Sequence, residues 1–300
     1  MISNKQLAIM FIAVVTIAMI LTISGCTSPT PTPTTVNATA IPTAAPTAGP
    51  QQTMKLATTT SMSDSGLLND ILPDFEKANN VKVDVIARGS GEAMTLGQNG
   101  DVDVLIAHSP AAEKTFVDNG YGWNRTQFAY NYFIVVGPAS DPAGIKGLNA
   151  SKAYSKIHDA KAPMVARSGT SGTAAKEQTI WNSTGFGQPN NATDTWYSST
   201  GQGMADALRM ADQKQAYILT DKSTYLKDQK NLSLVILVDS APDMINKYDV
   251  IEVNQTMHPD VKYDLAQKFR AYLISNETQA KISTYGNATV GQPLFFIGTP

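Results

Sequence analysis

The chain is poor in the residues that most catalytic and metal chemistry uses. It has one cysteine, Cys26, in 300 residues, which excludes an internal disulfide framework and any cysteine-based metal cluster. Its three histidines, His108, His158 and His258, stand far apart. No pair has metal-ligand spacing, and each reads as a lone structural histidine. Positive charge is not in excess, since the net charge is -2, so the basic stripe of a nucleic-acid protein is missing. Any affinity for an anion must therefore be local rather than the product of a general field. The Gly-x-Ser-x-Gly nucleophile elbow and the phosphate loop ending in Gly-Lys-Ser/Thr are both absent. No internal repeat of solenoid length is present.

Only one long apolar run occurs, and it lies at the N-terminus. Lys5 precedes an uncharged stretch over 7–23 that ends in Ile23-Ser24-Gly25-Cys26. The order basic, apolar, small is that of a secretory signal. The last four residues resemble a lipobox, which predicts a signal peptide over 1–25 and a lipid on Cys26. The competing reading is an uncleaved helix, although at ~1.5 Å per residue the run is short for a ~30 Å hydrocarbon core. Residues 26–52 alternate threonine and proline, which forbids helix and predicts an extended stalk. Either reading puts the rest of the chain outside the membrane. Nine Asn-x-Ser/Thr sequons, from Asn37 to Asn287, agree with export.

From 53 onward strand-like and helix-like segments alternate. Strands are expected at 55–60, 81–87, 102–107, 128–136, 164–166, 216–220, 234–238 and 248–253. Helices are expected at 65–78, 92–96, 111–118, 174–181, 203–211, 222–228, 259–273 and 276–285. This alternation predicts an α/β fold with a sheet covered on both faces and ligands beyond the carboxyl ends of strands. Pro138, Pro142 and Gly144 break the pattern. A first crossing between lobes is expected near Gly137 and a return near 243–247. Lobe one is then 53–136 plus 248–300, and lobe two is 137–247.

Three short runs stand at such strand ends. Arg167-Ser168-Gly169-Thr170-Ser171-Gly172-Thr173 joins a permanent cation to hydroxyls and glycines just before a helix, whose first N–H groups point outward. Such a turn suits a small tetrahedral oxyanion. Thr58-Thr59-Thr60-Ser61 and Arg88-Gly89-Ser90-Gly91-Glu92 repeat the theme. Plainer readings exist for each. Ser63 or Asp64 could simply cap the helix after the first run, Ser90 could be an ordinary N-cap, and Arg167 could pair with Asp194 or Glu177 on the surface. The turn at 197–203 and Thr220-Asp221 are further polar strand ends.

The three runs, with Gly97-Gln98-Asn99-Gly100-Asp101-Val102-Asp103, Gly201-Gln202-Gly203-Met204 and Ala216-Tyr217-Ile218-Leu219-Thr220-Asp221, together resemble the tungstate-binding proteins of Tup-type ABC importers. The resemblance runs in order from about Lys55 to Asp221. It implies a two-lobed periplasmic-binding-protein fold of type II and a cleft site for tungstate, with molybdate as its close analogue. It also implies delivery to a membrane permease and its ATPase, with no catalysis, cofactor, bound metal cation or nucleic acid. Carried over, the anion donors are Thr60, Ser61, Ser90, Arg167, Ser171, Gly172 and Thr173, with Thr59, Gly91, Thr170 and Thr220 as further candidates. There is one departure. The family usually carries an acidic residue between the arginine and the Ser-Gly-Thr, where this chain has Gly169-Thr170, and phosphate-binding relatives carry an aspartate at the Gly169 position. A buried carboxylate accepts the proton of hydrogen phosphate but repels a fully deprotonated anion, so its absence favours tungstate, molybdate or sulfate. A phosphate or sulfate receptor stays open as an alternative. So do an extracellular hydrolase of phosphate or sulfate esters, and a surface adhesion or sensor domain.

Overall fold

A computed structural model describes residues 50–239 and 241–300. The expected signal segment, Cys26 and nearly all of the stalk lie outside the described residues. Among the described residues no helix is long and apolar enough to cross a membrane.

Elements follow in the order β1 (Gln52–Thr59), α1 (Thr60–Ser65), α2 (Leu67–Asn79), β2 (Val81–Arg88), α3 (Ser90–Asn99), β3 (Val104–Ala107), α4 (Pro110–Asp118) and β4 (Gly122–Gly137). Next come α5 (Ala150–Ala160), β5 (Met164–Arg167), α6 (Gly172–Thr184), β6 (Tyr197–Thr200), α7 (Met204–Lys214), β7 (Tyr217–Asp221) and α8 (Lys222–Asp228). The chain then forms β8 (Val235–Val238), β9 (Ile245–Val253), α9 (Tyr263–Leu273), α10 (Asn276–Thr284) and α11 (Asn287–Val290). The α/β class expected from the alternation is what the chain forms.

The strands build one nine-stranded sheet in the order β2-β1-β3-β9-β4-β7-β5-β6, with β8 also beside β4. β1 runs parallel to β2 and β3, and β5 runs parallel to β6 and β7. The two parallel groups are joined by long antiparallel strands. β4 pairs with β9 as far as Tyr132, opposite Ile245, and from Phe133 it pairs with β7. One unbroken strand thus serves both halves. Its first residues were hidden in the sequence because Asn124, Arg125, Thr126 and Gln127 are polar, and the register shifts there, with Asn124 at φ 53°.

The helices form for visible reasons. Leu67, Leu68, Ile71, Leu72 and Phe75 put one apolar face of α2 into the main core. Asn149 caps α5, its Oδ1 accepting from Lys152 N at 2.9 Å, and Tyr154 and Ile157 of α5 pack with Trp181 of α6 in a second core. Met62 of α1 and Met204 of α7 belong to the same apolar core, although the sequence divides them between the expected lobes.

Two local expectations are corrected. Neither Ser63 nor Asp64 caps the helix after the first hydroxyl run. The helix begins at Thr60 itself, and Thr59 is the cap, its hydroxyl accepting from Met62 N at 3.3 Å. Gly66, at φ 76°, ends α1 and starts α2, a left-handed turn that glycine adopts without steric cost. Ser90 is not the N-cap of α3 either. Gly89 takes that place and Ser90 is the first helical residue.

Candidate functional site

The Arg167 loop and the Thr60 corner meet. Arg167 ends β5 and is 5% exposed. Its Nη1 donates to Thr60 Oγ1 at 3.2 Å, across 107 positions of sequence. Thr60 Oγ1 also accepts from Met204 N at 3.3 Å, and the carboxylate of Asp64 accepts from Ala205 N at 3.1 Å. The first turn of α7 has no side-chain cap of its own, because Gly203 precedes it. Its exposed N–H groups are capped instead from α1. The alternative, a surface pairing between Arg167 and Asp194 or Glu177, does not form. Asp194 accepts from Asn190 N, and Glu177 is buried and holds Trp181 Nε1 and Tyr197 OH.

The second run closes on the same loop. Gly91 N–H donates to Thr170 O at 2.8 Å, and a Cβ at position 91 would collide with the Thr170 side chain. A Cβ on Gly172 would lie 2.9 Å from Ser90 Oγ and 2.8 Å from His108 Nε2. Glycine at 91 and 172 therefore lets α3, the histidine and the start of α6 touch. Ser171 caps α6, its Oγ accepting from Ala174 N at 2.9 Å.

Two buried polar groups face inward at this meeting point without a hydrogen-bond partner: Ser90 Oγ and Arg167 Nε. A buried polar group without a partner costs about 1–3 kcal/mol, so native proteins rarely leave one unmet without a functional reason. Beside them is a cavity of about 250 Å³ lined by Thr60, Arg88, Gly89, Arg167, Ser171 and Gly201 among others. A larger cavity of about 550 Å³ is lined by the same loop together with Gln178, Asn190 and Ser199.

Other expected site residues lie deeper. Ser61 is 1% exposed, and its Oγ lies 3.2 Å from Thr59 Oγ1, 3.3 Å from Tyr248 OH and 3.4 Å from His108 Nε2. Thr173 is buried in the first turn of α6 and donates to Met204 Sδ at 3.7 Å. Thr220 is fully buried, and its hydroxyl donates to the neighbouring Asp221 carbonyl.

Burial holds the Arg167 guanidinium below its ordinary value, against the pull of Asp64, Asp221 and Glu92. Burial also raises Asp64, although the Ala205 N–H opposes it. One permanent cation thus faces several acids, and a dianion would meet it at close range.

A family model described as "PBP superfamily domain" matches residues 43–277. A Haloferax volcanii protein named "Putative ABC transporter anion-binding protein" is 41% identical over 95% of this chain and 84% of its own. The "Tungstate-binding protein TupA" of Peptoclostridium acidaminophilum is 40% identical over 80% of this chain and 84% of its own. The chain belongs to the PBP superfamily, in the family of the TupA proteins. A solved structure titled as the tungstate ABC transporter from Geobacter sulfurreducens superposes with a TM-score of 0.72 at 43% identity. It covers 79% of this chain and all of that one.

Within this family frame, the structure adds residues that the sequence reading passed over. His108, a lone histidine in the sequence, stands against Ser61 and the start of α6 at Gly172. Asp64 was read as a local cap and serves a distant helix. Asn131 and Asn246 were not singled out, although they form a buried amide pair behind His108. Their one sequence signal is an asparagine beside aromatic and apolar neighbours, Asn131 between Tyr130 and Tyr132 and Asn246 after Ile245. Among the described residues, no group of three or more His, Cys, Asp or Glu could hold a metal ion.

Proposed function

We propose that this protein is the substrate receptor of an ABC importer and binds a fully deprotonated tetrahedral dianion, tungstate with molybdate as its analogue. The observation that carries the reading is the Arg167–Thr60 contact, which joins the two hydroxyl-rich runs at one cation. The donors are Thr60, Ser61, Ser90, Arg167, Ser171, Gly172 and Thr173, with Thr59, Gly91 and Thr170 close by and Thr220 further back. A unit-charge pair at 4 Å is worth ~4 kcal/mol gross at an effective dielectric of 20, before desolvation is subtracted. Arg167 therefore needs no second cation, and neutral N–H and O–H donors complete the cage. Lobes 53–136 plus 248–300 and 137–247 close on the ion, and a membrane permease with its ATPase reads the closed form. The work is extracytoplasmic, with the domain held to the outer face of the membrane by a lipid on Cys26 and the Thr/Pro-rich stalk expected over 26–52. These last features rest on the sequence pattern of residues 1–52.

Titration calorimetry with tungstate, molybdate, sulfate and phosphate tests the reading. The expected order puts tungstate and molybdate first, with binding reduced at least a hundredfold in Arg167→Ala, since a charged hydrogen-bond partner is worth about 3 kcal/mol or more when its removal leaves the anion unpaired. Absence of binding for all four anions would refute it. One observation favours a second reading. Ser61, His108 and Asn246 stand in the donor–acceptor order of a hydrolase relay. Turnover of an aryl phosphate or aryl sulfate, lost in Ser61→Ala, would support ester hydrolysis over transport.

A further inference from the structure

The hydrogen bonds behind Ser61 have only one possible direction, and that direction makes His108 a control on the site. Asp221 sits at the far end, 0% exposed. Its carboxylate can only accept, and it takes bonds from Ser223 Oγ, from Thr224 N at 2.9 Å and from Thr224 Oγ1 at 2.7 Å. Asn131 turns its Nδ2 toward this carboxylate and toward Ser223 Oγ at 3.1 Å. Asn131 Oδ1 therefore faces the other way and accepts from Asn246 Nδ2 at 2.8 Å. The second hydrogen of that amide goes to Tyr248 OH at 3.0 Å. Only Asn246 Oδ1 remains for His108, and it lies 2.8 Å from Nδ1, so Nδ1 carries the proton. In the neutral ring Nε2 is then a bare lone pair 3.4 Å from Ser61 Oγ, an acceptor for the Ser61 hydrogen alongside Thr59 Oγ1 at 3.2 Å.

We propose that His108 is a positioning residue for the anion: when it takes up a proton, Nε2–H donates to Ser61 and frees the Ser61 hydrogen for the ligand, so that anion binding draws one proton into the site. The ring also meets the start of α6, where a Cβ on Gly172 would lie 2.8 Å from the same nitrogen. The inference rests on the binding reading above.

The groups around the ring fit a two-state proton site. Burial pushes the imidazole below its ordinary value, and Arg167 acts in the same direction, while the Asn246 bond and Asp221 raise it. Tyr248 of β9 stacks on the ring at 5.2 Å and Phe133 of β4 packs at 5.9 Å. Lys176 of α6 and Lys247 of β9 line a cavity of about 270 Å³ that reaches the ring's other edge. Without a ligand, burial favours the neutral ring. A dianion beside Nε2 reverses the balance, because its field outweighs a lone guanidinium already paired with it.

The test is calorimetry of the purified protein with sodium tungstate in two buffers of different ionisation enthalpy. Tungstate is a dianion across the neutral range, so a proton taken up enters the protein. The expected result is uptake approaching about one proton per anion, with affinity falling up to about tenfold per pH unit as pH rises through the pKa of the bound ring. His108→Gln can offer Ser61 an amide N–H that needs no proton uptake, so its affinity should stay flat between about pH 6 and pH 8, with no uptake. Equal uptake in His108→Gln overturns the proposal, as that proton would sit elsewhere, for example on Asp64. Tungstate binding without uptake in the unaltered protein overturns it alone, whereas no tungstate binding at all takes the receptor reading down with it. Imidazole nitrogen resonances of the unaltered protein give an answer that does not depend on a variant folding. With three histidines in the chain, the His108 signal should move from neutral to doubly protonated on saturation, and an unmoved signal overturns the proposal.

Discussion

Gly169 is the residue at which selectivity is easiest to probe. It has φ 70°, nothing lies within 4 Å of a Cβ built there, and it lines the cavity beside Arg167. Asparagine and aspartate tolerate this left-handed conformation better than other side chains, so Gly169→Asp can fold and puts a carboxylate next to the guanidinium. That carboxylate repels a full dianion and accepts a proton from hydrogen phosphate. The expected outcome is tungstate affinity lowered by about tenfold or more, the equivalent of ~1.4 kcal/mol, with phosphate affinity raised, as read by competition titration. A uniform loss for both anions would mean a distorted loop. The residues of the site were unevenly legible in the sequence. Arg167, Thr60 and Ser90 announce themselves because a cation, hydroxyls and glycines are concentrated at strand ends. His108 does not, because a single histidine after a buried strand has the same sequence signature whether it is structural or placed against a ligand.

At the scale of elements, α7 depends on α1. Thr60 and Asp64 supply the capping acceptors for its first turn, and a lost cap costs about 1 kcal/mol. If α1 and α7 part when the lobes open, this cap exists only in the closed form and contributes to affinity. Asp64→Asn keeps an acceptor and removes a negative charge facing Arg167, whereas Asp64→Ala removes both. The asparagine variant should bind tungstate about fivefold more tightly than the alanine variant, by the same ~1 kcal/mol. Equal affinities would show that the cap plays no part in closure. Helix α6 carries a different signature. Burial raises Glu177 to about 7, even though Trp181 Nε1 and Tyr197 OH donate to it. A carboxyl whose folded pKa is raised binds more protons in the folded state, so stability falls as pH rises from its unfolded value toward 7. Glu177→Gln should remove a decline of up to about 3 kcal/mol over that window, measured by denaturant unfolding at pH 5 and pH 8. A decline that persists unchanged would place its source in another group, Glu113 first, which burial and Asp249 raise to about 8. Element boundaries were legible where apolar periodicity was strong, as in α2 and β3. β6, Tyr197–Thr200, read as a turn because its composition is hydroxyl-rich, and only pairing with β5 makes it a strand. Over 137–163 the sequence shows no clear element, because Pro138, Pro142 and Gly144 mask the Asn149 cap of α5.

For the whole molecule, the central feature is the passage of β4 from one partner to the other at Tyr132–Phe133, with β9 starting opposite Tyr132. One strand, β4, passes between the two parallel groups and β9 begins at that point, which suits a hinge that bends without breaking the strand. The sequence could not show this, because strand pairing between positions more than a hundred residues apart leaves no local periodicity. It did show the consequence, since two hydroxyl-rich strand ends far apart in the chain call for a fold that brings them together. The most direct test of the account is a crystal structure with tungstate, in which the anomalous scattering of tungsten locates the ion. The account predicts one peak within hydrogen-bond reach of Arg167, Ser90 and the Thr60–Ser61 corner. A peak elsewhere, with Arg167 still bonded only to Thr60, would contradict it.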